Sequence, residues 1–522
     1  MTLLPNYLAG RWQVGAGGGT PLIDPVLGSG VARIGAASLD LAQAFAFARE
    51  KGGSALRSLS YGQRAAMLDS VAKVLQANRD AYYEIATANS GTTRRDSGID
   101  IDGAIFTVGQ YAKWGAALGD VRALLDGAPA RLGKDPAFQA RHVLVPARGV
   151  ALLINAFNFP AWGLWEKAAP ALLSGVPVIV KPASATAWLA QKMVADVIAA
   201  AILPEGALSI LCGRSEGLLD QLQGMDMVSF TGSAETAAAI RAHPAVAQRS
   251  ARANVEADSL NAALLAPDAA PGSESFALLV DEAVREITVK SGQKCTAIRR
   301  ILVPRSCYEA AAEAIAAKLR GIVVGNPRNE AVRMGALVNR AQLAHVQDGV
   351  RQLRAEATLI HDGVAHALTD ADPAVACCVG PTLLGMRAPE QGRLVHEVEV
   401  FGPVATLMAY DGQEAALSLI RRGGGSLVVS LYSEDARWIA DTALALADSH
   451  GRVHAISPDI AKSHTGHGNV MPISLHGGPG RAGGGEELGG LRALAFYHRR
   501  CAVQAATASL DLLAAAGACF AP

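Results

Sequence analysis

The sequence predicts an α/β protein built on parallel sheets, and three observations carry that reading. Four short apolar runs stand close together: GVALLIN (149–155), VPVIVK (176–181), LSILCG (208–213) and MDMVSFTGS (225–233). Between the second and third, Leu189, Met193 and Val197 recur at four-residue spacing, as do Val194 and Ile198, until Pro204 ends the helical pattern. Short apolar strands alternating with such helices make βαβ units around a sheet buried on both faces. A second α/β stretch follows, with AAAEAIAAKL (310–319) as helix, GIVVGNP (321–327) as a short strand or turn, and then AALSLI and SLVVSLYS.

The chain has 522 residues, half of them apolar, which allows more than one domain. Basic and acidic residues balance at 47 each, so the broad basic surface of a nucleic-acid binder is not expected. The seven cysteines are odd in number and irregular in spacing. No CxxC pair and no Cys/His cluster has zinc spacing, so no metal is expected, and reduced thiols in a cytoplasmic protein fit best. Cys377 and Cys378 read as core or strand filler. MTLLPNYLAGRW lacks the basic start and long apolar stretch of a signal peptide. No apolar run reaches the roughly 18 to 20 residues that span a bilayer, so no membrane partner is expected. The C-terminal LDLLAAAGACFAP reads as a packed tail.

HGGPGRAGGGEELGGL (476–491) holds eight glycines in sixteen residues and cannot be regular over most of its length. ARLGKDPAFQARHVLVPARG (130–149) carries two extended pieces, and FYHRRCAVQ near the end looks strand-like. These pieces are expected to pair with each other or with another subunit.

Six short stretches carry chemistry. Cys295, in ITVKSGQKCTAIRRIL, sits in a polar turn between apolar segments, as a presented nucleophilic thiol would. Lys294, Arg299 and Arg300, close in sequence, are expected to supply the positive potential that favours its thiolate. Asn158, in NAFNFP, lies just past a parallel strand, where an amide can donate to an oxyanion; by itself it also reads as a turn or cap residue. Glu256, in VEADSLN, is a general-base candidate at a strand end, or a solvated glutamate there. Lys181 and Ser184, in KPAS, follow a strand and suit a nucleotide ribose or phosphate. Gly232 and Ser233, in FTGSAET, open a predicted helix whose N-terminus favours an anion. In EVFGPV, Glu399 can bind ribose hydroxyls while Phe401 covers a flat heterocycle. No GxGxxG follows a strand, so the usual dinucleotide fingerprint is missing.

The order of these stretches is more specific than any one of them. NFP, KPAS, FTGS, a glutamate, GQxC about forty residues later and EVFGPV about a hundred further on resemble the NAD(P)-dependent aldehyde dehydrogenase superfamily, over nearly the whole chain. Most members read Glu-Leu-Gly-Gly where this chain reads Glu256-Ala257-Asp258-Ser259-Leu260-Asn261. With HGGPGRAGGGEELGGLRAL, that is similar to the branch that oxidises CoA-linked semialdehydes in aerobic aromatic (benzoate) catabolism.

The resemblance implies an aldehyde dehydrogenase-like fold: a Rossmann-type cofactor domain (1–126 and 148–258), an α/β catalytic domain (259–478) and a β-strand oligomerisation arm (127–147 with 492–522). A homodimer or a dimer of dimers is expected. Cys295 is implied as nucleophile, Asn158 and the Cys295 N–H as oxyanion donors, and Glu256 as the base that activates water. Gln293 and Lys294 are left as positioning residues. Members that pass the acyl group to free CoA usually lack that base, so a free acid product is expected. A CoA-acylating enzyme and a non-catalytic binding protein are the alternatives. NAD-preferring members usually carry Glu at the position of Ser184, so NADP is the expected cofactor. Ala237 and Ala257-Asp258 depart from the usual glycines. Glu166, in WGLWEK, reads as a surface glutamate and is a further candidate for proton relay.

Overall fold

The computed structural model describes residues 1–520. Two seven-stranded sheets and one four-stranded sheet form its frame. The first runs, in spatial order, Arg252–Glu256, Met227–Thr231, Ala151–Ile154, Val178–Lys181, Leu208–Ile210, Asn6–Leu8 and Arg11–Gln13. Its first five strands are mutually parallel, and the N-terminal hairpin is added antiparallel. All four apolar runs of the sequence are therefore strands of one sheet. Their near-continuous burial reflects helices packed on both faces. The helix between the second and third strands spans Ala187–Ala199 and stops short of Pro204. Ala201 takes φ +52°, a conformation no helix continues through.

The second sheet runs Thr358–His361, Thr382–Met386, Val404–Tyr410, Arg300–Pro304, Ala262–Leu265, Ser426–Tyr432 and His450–Ile456. Only the pairing of Thr358–His361 is antiparallel. In the four-stranded sheet, His498–Ala506 pairs antiparallel with Phe138–Pro146 of the same chain. The two extended pieces of the sequence thus find each other. The C-terminal tail packs as helix Thr507–Ala515 and strand Gly517–Cys519, which adds to the other edge beside Ala123–Arg131. Cys377 and Cys378 are buried, but in a loop rather than a strand. Among the described residues, no helix is long and apolar enough to cross a membrane.

The turn that carries Cys295 lies between helix Glu274–Thr288 and strand Arg300–Pro304. Gly292, at φ +66°, approaches the Gly402 carbonyl so closely that a Cβ would sit 2.1 Å from that oxygen. Asn261, fully buried just ahead of strand Ala262–Leu265, ties the turn down. Its amide donates to the carbonyls of Cys295 (2.8 Å) and Ala297 (3.0 Å). Its oxygen accepts from Ser259 Oγ (2.7 Å) and Val428 N (3.1 Å). Asn261→Ala orphans all four groups, and at 1–3 kcal/mol for each one left dry, partial relaxation leaves a cost of roughly 3 kcal/mol. The expected outcome is a clearly lowered urea midpoint together with loss of activity. A midpoint unchanged within error would show that the turn is held by other contacts.

Candidate active site

Two cavities meet at Cys295. One, of about 440 Å³, is lined by Asn155, Ala156, Phe157, Asn158, Phe230, Gly232, Ser233, Glu256, Glu399 and Phe401, with Cys295 at its end. The other, of about 370 Å³, is mostly apolar, with Ile99, Phe106, Phe159, Trp162, Val470 and Met471 among its walls and Cys295 and His476 at its base. A smaller space joins them and is bounded by Asn158, Glu166, Lys167, Glu256, Cys295 and His476. The thiol therefore faces one cleft fit for a flat heterocycle and one fit for a slender apolar chain.

The structure brings the three predicted catalytic residues together. Glu256 ends its strand and is 2 % exposed. Asn158 is buried in the loop after strand Ala151–Ile154, two places along the same sheet, and lines both the wide cleft and the joint. Cys295 is partly exposed toward the cavities. Desolvation of its sulfur, then the carboxylates of Glu256, Glu166 and Glu399, push its pKa well above the ordinary thiol value. The cations expected from sequence do not counter this. Lys294 is buried in an ion pair with Glu286 at 2.7 Å. Arg299 donates to the carbonyls of Gly402, Gly292 and Lys294, and Arg300 to those of Leu260, Leu419 and Ile420. Sequence neighbours of the thiol point into the scaffold and hold the turn.

The group that does face the sulfur was not legible as such. His476 opens the glycine-rich loop and is buried. Its Nε2 lies 3.7 Å from Cys295 Sγ and 3.2 Å from Glu256 Oε2, and its Nδ1 lies 3.1 Å from Glu166 Oε2. Burial pulls the imidazole pKa down, but Glu256 and Glu166 outweigh it and leave the value raised. Neither oxygen of Glu256 has an aligned hydrogen-bond donor, so its closeness to His476 is an electrostatic contact only.

Glu166 is not a surface residue; it is 2 % exposed. It sits one turn from Trp162 on helix Trp162–Leu173, so both side chains reach the same face and meet His476. Burial opposes its charge, but Lys167 and His476 hold its pKa below the usual carboxylate value. Lys167 Nζ donates to Glu166 Oε1 at 2.7 Å and lies 3.4 Å from Glu487 Oε2. Glu487, held by Ser229 Oγ and Asn254 Nδ2, has its pKa raised by burial despite Lys167. A chain of buried charges thus runs from the thiol through His476, Glu166 and Lys167 to Glu487.

The glycines explain how the loop gets there. Gly485 N donates to Val255 O, and Ala257 N to Ala482 O, so the loop lies directly on the strand of Glu256. A Cβ at Gly483 or Gly485 would come within 2.4 Å of the Val255 oxygen. Short antiparallel strands Leu475–Gly477 and Glu486–Leu488 in this stretch carry His476 and Glu487, with a single 3-10 turn at Gly480–Ala482 between them. A histidine followed at once by two glycines, and a Glu-Glu pair after three more, were the available signals.

Of the predicted cofactor residues, Gly232, Ser233, Glu399 and Phe401 line the wide cleft. Glu399 accepts from Ser259 N at 3.0 Å, and its other oxygen is unpartnered. Burial, only partly offset by Arg299, pushes its pKa up to about 7. Lys181 and Ser184 do not line the cleft, whereas Ala183 between them does. Lys181 Nζ donates to the Pro182 carbonyl at 3.0 Å. The helix Ala234–Ala242 does not offer a free N-terminus. Ser233 Oγ accepts from Thr236 N, and Asp258 Oδ1 takes Ala234 N at 3.1 Å. Asn155, unremarked in the sequence, lines the cleft with both amide atoms buried and unpartnered.

Residues 12–499 match the sequence profile of the Aldehyde dehydrogenase family. The chain is 54 % identical, over 91 % of its length and 93 % of the relative's, to a 3,4-dehydroadipyl-CoA semialdehyde dehydrogenase of Aromatoleum evansii. It is 28 % identical, over 92 % of each chain, to a non-phosphorylating aspartate-semialdehyde dehydrogenase of Halomonas elongata. Among solved structures, a 3,6-anhydro-L-galactose dehydrogenase in complex with NAP superposes with a TM-score of 0.82 at 22 % identity, covering 96 % of this chain and 100 % of that one. A cysteine at the meeting point of two cavities, a buried glutamate beside it and a matching profile over most of the chain lead to one conclusion: the protein belongs to the aldehyde dehydrogenase family and is an aldehyde-oxidising oxidoreductase.

Proposed function

We propose that the chain oxidises a CoA-linked semialdehyde, of the 3,4-dehydroadipyl-CoA semialdehyde kind, to the free carboxylic acid with NADP, in aerobic benzoate catabolism. The observation that carries the chemistry is Cys295 at the junction of the cavities, with Glu256 and His476 around it. The likeness to the Aromatoleum relative supports the substrate. The narrow cavity supports it too, because its walls are largely apolar and Phe106 and Met471 at its rim are exposed. A long acyl-pantetheine arm can lie on such a surface; a small polar aldehyde gains nothing from it.

The wide cleft fits a nicotinamide dinucleotide. Its apolar walls match a flat ring, and the unpartnered oxygen of Glu399 and amide of Asn155 lack the partners that ribose hydroxyls and a carboxamide bring. Phe401, Gly232 and Ser233 would hold the cofactor, with Lys181 and Ser184 toward the adenosine end. When bound, the cofactor supplies the acceptor for the aldehyde's hydride.

The chain's own residues do the rest. Glu166 fixes the imidazole through Nδ1–H, which leaves Nε2 to take the Cys295 proton as sulfur attacks the aldehyde carbon. Asn158 and the Cys295 N–H stabilise the oxyanion of the thiohemiacetal. After oxidation Cys295 carries the acyl group as a thioester. Glu256 takes a proton from the attacking water, and His476 returns one to the departing sulfur. Lys167 and Glu487 extend this acid–base chain away from the thiol. The buried Glu256 favours hydrolysis over transfer to free CoA. We further propose that the 127–147 and 492–522 arm joins subunits, since His498–Ala506 and His450–Ile456 are both edge strands with a free side.

Turnover followed by reduced-cofactor absorbance tests the reading. The CoA-linked semialdehyde with NADP is expected to be oxidised far faster than a simple aliphatic aldehyde with NAD. The reverse ranking would keep the family and remove both the substrate and the cofactor proposals. Ser184→Glu places a carboxylate where a 2′-phosphate would sit, a repulsion of roughly 1 to 4 kcal/mol if partly desolvated. The ratio of kcat/KM for NADP over NAD is expected to fall about tenfold or more. An unchanged ratio would remove Ser184 from cofactor choice.

A further inference from the structure

We propose that Cys295, His476 and Glu256 form a reversible, inhibitory zinc site within the catalytic centre. Sγ of Cys295, a ring nitrogen of His476 and a carboxylate oxygen of Glu256 all lie within 4.8 Å of one another. Tetrahedral zinc, with ligand bonds of ~2.0 to 2.3 Å, sets sulfur and nitrogen ligands ~3.6 Å apart, and nitrogen and oxygen ligands ~3.3 Å apart. The corresponding separations are 3.7 Å for Cys295 Sγ to His476 Nε2 and 3.2 Å for His476 Nε2 to Glu256 Oε2. Two of the three separations thus match one small ion as they stand, and the third, sulfur to carboxylate, lies within 4.8 Å, so a small side-chain adjustment closes the set.

Two independent features point the same way. Both oxygens of Glu256 are buried without a hydrogen-bond donor, an expensive state that a cation relieves. The outward nitrogen of His476 meets Glu166 Oε2 at 3.1 Å, the carboxylate–histidine contact that orients an imidazole toward a metal. The carboxylates facing the site are Glu166, Glu399 and Glu487. The cations facing it are Lys167, Arg299 and Arg452. Lys167 lies between Glu166 and Glu487, Arg299 is turned to Glu399 and backbone carbonyls, and Arg452 donates to the carbonyls of His467 and Asn469. A thiolate, an imidazole and a carboxylate select zinc over magnesium or calcium, which prefer all-oxygen sites. The fourth position opens on the cavities that Cys295 lines, as at zinc sites with a free position.

Binding is a ligand exchange with no change of oxidation state. Waters of the hydrated ion leave, the Cys295 S–H bond breaks and its proton goes to solvent, and Zn–S, Zn–N and Zn–O bonds form, the Nε2 lone pair binding with Nδ1–H kept on Glu166. The sulfur lone pair that would attack the aldehyde is then held by the ion. The inhibition rests on Cys295 being the nucleophile; the binding does not.

The test is a titration of the whole chain with Zn²⁺ against a fluorescent zinc indicator, with neither aldehyde nor cofactor present. One equivalent is expected to bind at low micromolar Zn²⁺ and to be unaffected by millimolar Mg²⁺. Cys295→Ser and His476→Gln should each weaken it by about 100-fold or more, and Glu166→Gln by about 10- to 100-fold. Alkylating Cys295 in the unaltered protein must abolish the same equivalent, which holds the test open where a variant does not fold. The same Zn²⁺ should slow aldehyde oxidation until a chelator is added. An equivalent that survives alkylation belongs elsewhere, the exposed Cys501 and Cys519 included, and overturns the site. Failure to bind at low micromolar Zn²⁺ overturns it as well. Because binding is counted without substrate, a wrong substrate assignment leaves this outcome untouched.

Discussion

The site depends on one constraint: an imidazole is buried against a thiol and between two carboxylates. Each buried ion costs several kcal/mol in lost hydration, so the group is tolerated only if every charge finds a counterpart nearby. His476 has Glu166 and Glu256, Glu166 has Lys167, and Lys167 has Glu487. Glu487 in turn is held by Ser229 and Asn254, residues of adjacent strands in the first sheet. The local architecture follows from closing this chain. Helix Trp162–Leu173 must present Trp162 and Glu166 on one face. The glycine-rich loop must lie flat on the strand of Glu256, which only residues without a Cβ permit. The second sheet must hold the thiol turn, through Asn261 and Arg299, at the height of that loop.

This arrangement separates three tasks around a single sulfur. On the proposed reading, the wide cleft takes the heterocycle, the apolar cavity takes the chain that bears the aldehyde, and the buried charges take protons. Desolvation raises the pKa of the thiol, and in that proposal the imidazole beside it supplies the acceptor when an aldehyde arrives. The same closeness makes the three groups a ligand set for a borderline-soft metal. A site that gathers a thiol, an imidazole and a carboxylate for acid–base work is chemically close to one that gathers them for zinc.

The parallel strands were legible because each is a short, unbroken apolar run, and burial on both faces demands that pattern. Cys295, Asn158 and Glu256 were legible through their order along the chain, Asn158 following and Glu256 ending a strand where α/β sheets place ligands, and Cys295 standing in a polar turn between apolar segments. What escaped was set by tertiary contact. His476 and Glu487 lie in a segment with no period, and their roles arise only when the loop folds back on strand Arg252–Glu256. Glu166 read as a surface residue because glutamates are mostly exposed unless paired; it is in fact buried and paired with Lys167. Lys294, Arg299 and Arg300 looked like electrostatic support for the thiol. In the structure they are spent on Glu286 and on backbone carbonyls, because side chains of successive residues in a tight turn diverge. The start of helix Ala234–Ala242 looked free for an anion, and Asp258, two residues past Glu256, already caps it.

The central claim is that Cys295 becomes the acyl carrier, and the most direct measurement is its mass during turnover. The enzyme would be mixed with semialdehyde and NADP, quenched in acid within one turnover and digested, and the Cys295 peptide weighed. The account predicts the mass of the acyl group on that peptide, absent without NADP and discharged on a longer delay before quenching. An acyl group found on another residue, or turnover with Cys295 never modified, would contradict it.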